Sequence, residues 1–150
     1  MNQTPRRALI MIWDGLRPDL ITEQTTPTLH RLAGEGVRFR DSHAVFPTVT
    51  RCNSASIATG ALPASHGLPG NTFYASALDP TQALSAGDAV HLQGLARLRG
   101  GRLFGRPTLA DRIHQTGGRT AVVGTGSTGS AFLQHPNVEV CGDLLLHPAL

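Results

Sequence analysis

Ala8-Leu9-Ile10-Met11-Ile12-Trp13-Asp14-Gly15 is the stretch on which the reading of the fold turns. An unbroken apolar run with no polar alternation has the pattern of a strand buried on both faces in a parallel sheet. Asp14-Gly15 ends it. A carboxylate there emerges at the C-terminal edge of the strand, where open α/β sheets bind their ligands, so Asp14 is placed for a metal or a substrate. As a dipeptide, Asp-Gly also reads simply as a turn.

Outward from this run the chain alternates helix and strand. Thr26-Pro27-Thr28 opens a predicted helix with a cap and a proline at its first position; Leu29, Leu32 and Ala33 form its stripe, and Gly34 and Gly36 end it. Val37 and Phe39 alternate with Arg38 and Arg40, which predicts a strand with one wet face. Further on, Pro107 stands near a second helix start, Leu109 and Ile113 share a face, Gly117-Gly118 stop it, and Thr120 to Val123 is apolar again. A helix, a glycine and a buried strand, twice over, predict a doubly wound, mostly parallel sheet with helices on both faces.

Between these repeats lies Phe46-Pro47-Thr48-Val49-Thr50-Arg51-Cys52-Asn53-Ser54-Ala55-Ser56-Ile57-Ala58-Thr59-Gly60. Pro47 biases Phe46 toward an extended conformation, and from Thr50 a helix is allowed, with Gly60 as its stop. Thr50 at that helix's N-terminus meets unpaired backbone N–H groups and the positive end of the dipole, a place that attracts anions. Its hydroxyl needs a metal or a base before it becomes a nucleophile. Asn53, one turn later, could point its amide N–H at the same oxygens. Taken alone, Thr50 reads as a helix cap.

Leu62 to Asn71 is rich in Pro and Gly and reads as a loop, in which His66 and Asn71 are the polar groups able to face the site; Thr72-Phe73-Tyr74 follows as a short β-like run. From Ser76 to Gly105 no period selects helix or strand, so residues 76–105 are read as a long functional loop or small insertion. Gly124 to Ser130 invites a phosphate-cradle reading, but it has neither a Gly-Lys-Ser/Thr ending nor Gly-x-Gly-x-x-Gly spacing, and a plain strand-to-helix turn is favoured. Val138 to Val140 is expected as a last short strand.

A chain of 150 residues, 40% hydrophobic and 15% charged, suggests one globular domain. All thirteen basic residues are arginines and they are scattered, against ten acids, which is no footprint for a nucleic-acid polymer. Cys52 and Cys141 have no metal spacing, so neither a disulfide framework nor a zinc knuckle is indicated. Ala8 to Trp13 is too short for a secretory h-region or a membrane span; a cytoplasmic protein without membrane attachment is expected.

Ile12-Trp13-Asp14-Gly15, Thr26-Pro27-Thr28-Leu29, Phe46-Pro47-Thr48-Val49-Thr50 with Asn53, Thr59-Gly60, Ser65-His66-Gly67 and Gly70-Asn71, in that order, resemble the alkaline phosphatase superfamily. The nearest likeness is to its nucleotide pyrophosphatase/phosphodiesterase (type I phosphodiesterase) branch, with phosphonoacetate hydrolases nearby. The resemblance implies a two-zinc hydrolase of small phosphodiester, nucleotide pyrophosphate or phosphonate substrates. In it Asp14 matches a metal-binding aspartate, Thr50 the nucleophile bound to the same metal, and Asn53 the asparagine that helps hold the phosphoryl oxygens. Such enzymes complete their metal site from a later part of a longer chain, with an Asp-x-x-x-His segment, an Asp-His pair and a final His. Asp143-Leu144-Leu145-Leu146-His147 has only the spacing of the first, and its apolar filling reads as core. Residues 1–150 are therefore expected to be the N-terminal part of such a hydrolase domain, a truncated chain in which at most one metal is partly liganded. The alternative is a non-catalytic remnant of the fold that binds a phosphate ligand or a partner.

Overall fold

The computed structural model describes residues 6–150, and its contacts divide the chain into two units, one ending at Ser42 and the other running from His43 to Leu150.

In the first unit, a short 3₁₀ turn at Pro18–Leu20 precedes helix α1, Pro27–Glu35. Thr26 precedes Pro27 as expected, and the backbone N–H of His30 donates to the Thr26 carbonyl at 2.9 Å. An i,i+4 pair between Arg31 and Glu35, 2.8 Å, runs along the exposed face and adds a few tenths of a kcal/mol. The runs 8–13 and 37–40, predicted as strands, are irregular instead, and Leu9, Ile10, Val37 and Phe39 are exposed. A strand needs a neighbour for its N–H and C=O groups, and among the described residues of this unit no other strand supplies one. Asp14-Gly15 makes a turn, closed by the Leu16 N–H on the Trp13 carbonyl, with Gly15 at φ 81° where a side chain is disfavoured.

The second unit carries the core. Its elements are α2 (Thr50–Thr59), α3 (Pro63–His66), β1 (Thr72–Phe73), β2 (Leu84–Ser85), α4 (Ala89–Leu98), α5 (Leu109–Gln115), β3 (Ala121–Val123), α6 (Thr128–Gln134), α7 (Val138–Cys141) and β4 (Leu144–Leu146). Helix α2 buries Cys52, Ala55 and Ala58, one small residue per turn, which lets α6 approach closely. Two side-chain rungs tie these helices: Arg51 donates to the Ser130 hydroxyl at 2.5 Å, and Gln134 Nε2 to Ser54 Oγ at 2.7 Å. Leu68, Leu92, Leu95, Phe104, Phe132 and Leu133 fill the core between α2, α4 and α6. Each such side chain contributes about 1.5–3 kcal/mol over its exposed state.

The segment 76–105, read as a loop or insertion, contains β2 and α4. Asp88 caps α4 by accepting the Val90 N–H at 2.8 Å, and Ala89, Leu92 and Leu95 form its buried face. β1 and β2 pair antiparallel, Thr72 opposite Ser85. β3 and β4 pair parallel, with Ala121 opposite Leu144, and α6 and α7 lie between them in the chain. The fold is thus mixed helix and small sheets of the α/β kind, and among the described residues the sheets are two two-stranded pairs, one antiparallel and one parallel. Val138 to Val140, expected as a strand, is helical, part of a single turn that the left-handed Gly142 ends; the strand is the next segment, Leu144–Leu146.

Candidate active site

Helix α2 begins at Thr50, one residue after its cap, Val49. Thr50 is therefore the first helical residue rather than the cap, and it lies exposed on the first turn. Asn53 fixes the chain that leads into it. Its Oδ1 accepts the Val45 N–H at 3.0 Å, while its Nδ2 donates to the Val49 carbonyl at 3.1 Å and to the Pro47 carbonyl at 3.4 Å. From the following loop, Asn71 Oδ1 accepts the Arg51 N–H at 2.9 Å. Asn71 thus supplies a partner for one of the donors that a helix start leaves unpaired. Gly60, at φ 64°, stops the helix where expected.

The neighbouring thiol is out of play. Cys52 points into the core, and burial pushes its thiol above the ordinary range, so it stays protonated. His66, the other polar group expected to face the site, is fully buried. Its Nδ1 accepts the Leu68 N–H at 3.1 Å, which places its proton on Nε2, 3.0 Å from Ser56 Oγ. It donates to that serine and cannot serve as its base. Burial lowers its basicity further, and the ring packs edge-on against Phe104.

Asp14, the expected metal ligand, stands exposed in its turn in the first unit; Thr50 and Asn53 share the start of α2 in the second. The residues 143 and 147 are engaged separately. Asp143 faces His135, and His147 pairs with the Gly126 carbonyl at 3.0 Å.

A second cluster escaped sequence reasoning. Oxygen of Asp111, nitrogen of His135 and sulfur of Cys141 lie within 4.8 Å of one another, brought together by α5, the end of α6 and the end of α7. Asp111 sits at the third position of α5 in a capping box with Thr108, and also accepts from Asn137 Nδ2 at 2.8 Å. Burial works to raise its pKa, but the bonds from Asn137 and Thr108 hold its carboxyl below the usual range. Asp143 is likewise held low: burial opposes ionisation, and the hydrogen bond from His135, a backbone bond from Thr120 and the Arg119 charge outweigh it. Cys141 is pushed up, first by burial and then by the charges of Asp111 and Asp143. No spacing motif announced this group; the one sequence signal was the Thr108-x-x-Asp111 capping pattern, which marks a helix start rather than a ligand.

The chain belongs to the type I phosphodiesterase / nucleotide pyrophosphatase family, whose model matches residues 8–140. Among curated proteins it is similar to the bis(5'-adenosyl)-triphosphatase enpp4 of Xenopus laevis, 33% identical over 73 residues, covering 49% of this chain and 16% of that one. Its likeness to ENPP4 of Homo sapiens is 36% over 73 residues, with the same shares of 49% and 16%, and to that of Bos taurus 35% over an equal span. The match therefore spans only 16% of the length of these relatives. No solved structure matches the chain. Among the described residues no helix is long and apolar enough to cross a membrane.

Proposed function

We propose that the chain carries the phosphoryl-accepting segment of a metal-dependent hydrolase of phosphodiesters or nucleotide pyrophosphates, with Thr50 as nucleophile. The observation that carries this is the exposed Thr50 at the start of α2, in a junction fixed by Asn53 and Asn71, with Cys52 turned into the core, in a chain of this family. Thr50 Oγ attacks phosphorus, its proton passes to solvent, and the bond to the leaving oxygen breaks. Water then attacks the phosphothreonine ester and restores the hydroxyl. Of the two bonds that Asn53 Nδ2 donates, the one to Pro47, at 3.4 Å, is the weaker, and that N–H is the one that turns toward a phosphoryl oxygen.

Asp14 and Thr50 are accessible oxygen donors, which suit a divalent cation such as zinc. A cation held at the Thr50 hydroxyl would lower its pKa and stabilise charge on the leaving oxygen. The parallel pair β3–β4 supports the reading of a doubly wound sheet around this segment.

Because the curated relatives are named for bis(5'-adenosyl) triphosphate, that compound with zinc is the first substrate to try. Attack on its terminal phosphorus leaves an adenylyl ester on Thr50 and releases ADP; water then releases AMP. Intact-mass spectrometry of the chain should show a zinc-dependent adenylyl adduct that maps to the α2 peptide and vanishes in Thr50→Ala. Calorimetric binding of the nucleotide without zinc, and without any adduct, would instead mark a binding module.

A further inference from the structure

We propose that Asp111, His135 and Cys141 form a second metal site, independent of Thr50, that takes a borderline divalent cation such as zinc and clamps α5 to α6 and α7. The three ligand atoms, from carboxylate, imidazole and thiolate, lie within 4.8 Å of one another. Around a tetrahedral ion with bonds of about 2.0–2.3 Å, such atoms stand roughly 3.3–3.8 Å apart, so a closure of about 1 Å completes the shell.

The orientation of His135 is the independent sign. The ring is fully buried, and its Nε2 lies 3.0 Å from Asp143 Oδ2. A carboxylate oxygen accepts, so the bond to Asp143 uses the Nε2 edge of the ring and leaves Nδ1 on the opposite edge. That buried Nδ1 has no hydrogen-bond partner among the described residues. A buried imidazole with one nitrogen held by a carboxylate and the other unpartnered, beside a thiol and a second carboxylate, is the arrangement of a ligating histidine with its supporting carboxylate. A satisfied core histidine would have used both nitrogens, as His66 does.

Asp111 and Cys141 also line a cavity of about 260 Å³ with Arg102, Arg106, His114 and Asn137. An ion held by Asp111 and Cys141 would border the cavity, from which water would supply a fourth ligand. When the cation binds, the Cys141 proton leaves to solvent and the Sγ–metal bond forms, with no change of oxidation state. Mixed N, O and S donors favour zinc over magnesium or calcium, which select oxygen.

The test uses cobalt(II) as a visible stand-in for zinc, titrated into the full chain. A thiolate-to-cobalt charge-transfer band saturating at one ion per chain, and displaced by zinc, is the expected result. The band should persist in Cys52→Ser and in Thr50→Ala. It should be lost in Cys141→Ser, and Asp143→Asn should weaken binding about 10- to 100-fold while leaving the band in place. Because His135→Gln could lose the fold, circular dichroism is recorded on every variant, and the near-isosteric Cys141→Ser decides. Absence of the band in the folded wild-type chain, its survival in folded Cys141→Ser, or its loss in Cys52→Ser would each overturn the site.

Discussion

Asn53 commits its amide to the backbone of the segment before α2, holding Val45, Pro47 and Val49 with one acceptor and two donors. Asn53→Ala removes all three bonds and leaves a part-buried Val45 N–H without its partner. A loss of about 1–3 kcal/mol in urea denaturation is expected, together with loss of the adenylyl adduct. Asn53→Asp keeps the acceptor and loses both donors, so it should retain more stability than Asn53→Ala while still failing to form the adduct. At this scale the sequence spoke through chemistry next to punctuation: Pro47, Thr50 and Gly60 mark a helix start and stop, and Thr50 lies where the start falls. Asp111, His135 and Cys141 were invisible for a physical reason. Their elements converge only after α5, α6 and α7 pack, and separations that tertiary packing closes leave no local pattern.

At the level of elements, α6 meets the start of α4 at Gly129, whose N–H donates to the Gly87 carbonyl at 3.0 Å. A Cβ there would stand 2.4 Å from the Ala86 carbonyl oxygen and 2.5 Å from the Gly87 carbonyl carbon, both backbone atoms. Gly129→Ala must therefore push α6 off α4, and a loss of about 1–3 kcal/mol in chemical denaturation is expected. A neutral or stabilising effect would show that the contact is looser than described. Leu92, fully buried on α4, should cost about 2–5 kcal/mol when cut to alanine, which tests whether 76–105 is part of the core. Helices α1 and α5 were readable because proline, cap and glycine bracket a clear stripe. Helix α4 was not, because Gly94 and exposed Val90 and Leu98 blur the stripe of Ala89, Leu92 and Leu95. The runs 8–13 and 37–40 carry the composition of strands, but composition cannot supply the hydrogen-bonding neighbour that a strand requires.

For the molecule as a whole, the buried groups set the direction of its pH response. Folded His66 lies below its ordinary value of 6.5, so the unfolded chain binds that proton first as the pH falls below 6.5. Asp111 and Asp143 lie below their ordinary 3.8, so their contribution is complete above that value and is lost as the pH falls through their folded values. Thermal midpoints should therefore decline from about pH 6.5 downward and more steeply below about pH 4. His66→Gln, which cannot charge, should flatten the first part of that decline. A midpoint that rises on acidification through this range would contradict the burial of His66.

The family likeness spans residues 8–140, yet the curated relatives are matched over only 16% of their length, so the proposed role of Thr50 is tested on this chain itself. The most direct measurement is intact-mass spectrometry of the chain incubated with zinc and bis(5'-adenosyl) triphosphate, beside Thr50→Ala. An adenylyl adduct that requires zinc, maps to the α2 peptide and is absent from the variant is the expected result. An adduct or turnover undiminished in Thr50→Ala, or no zinc-dependent adduct on the folded wild-type chain, would contradict Thr50 as the phosphoryl acceptor.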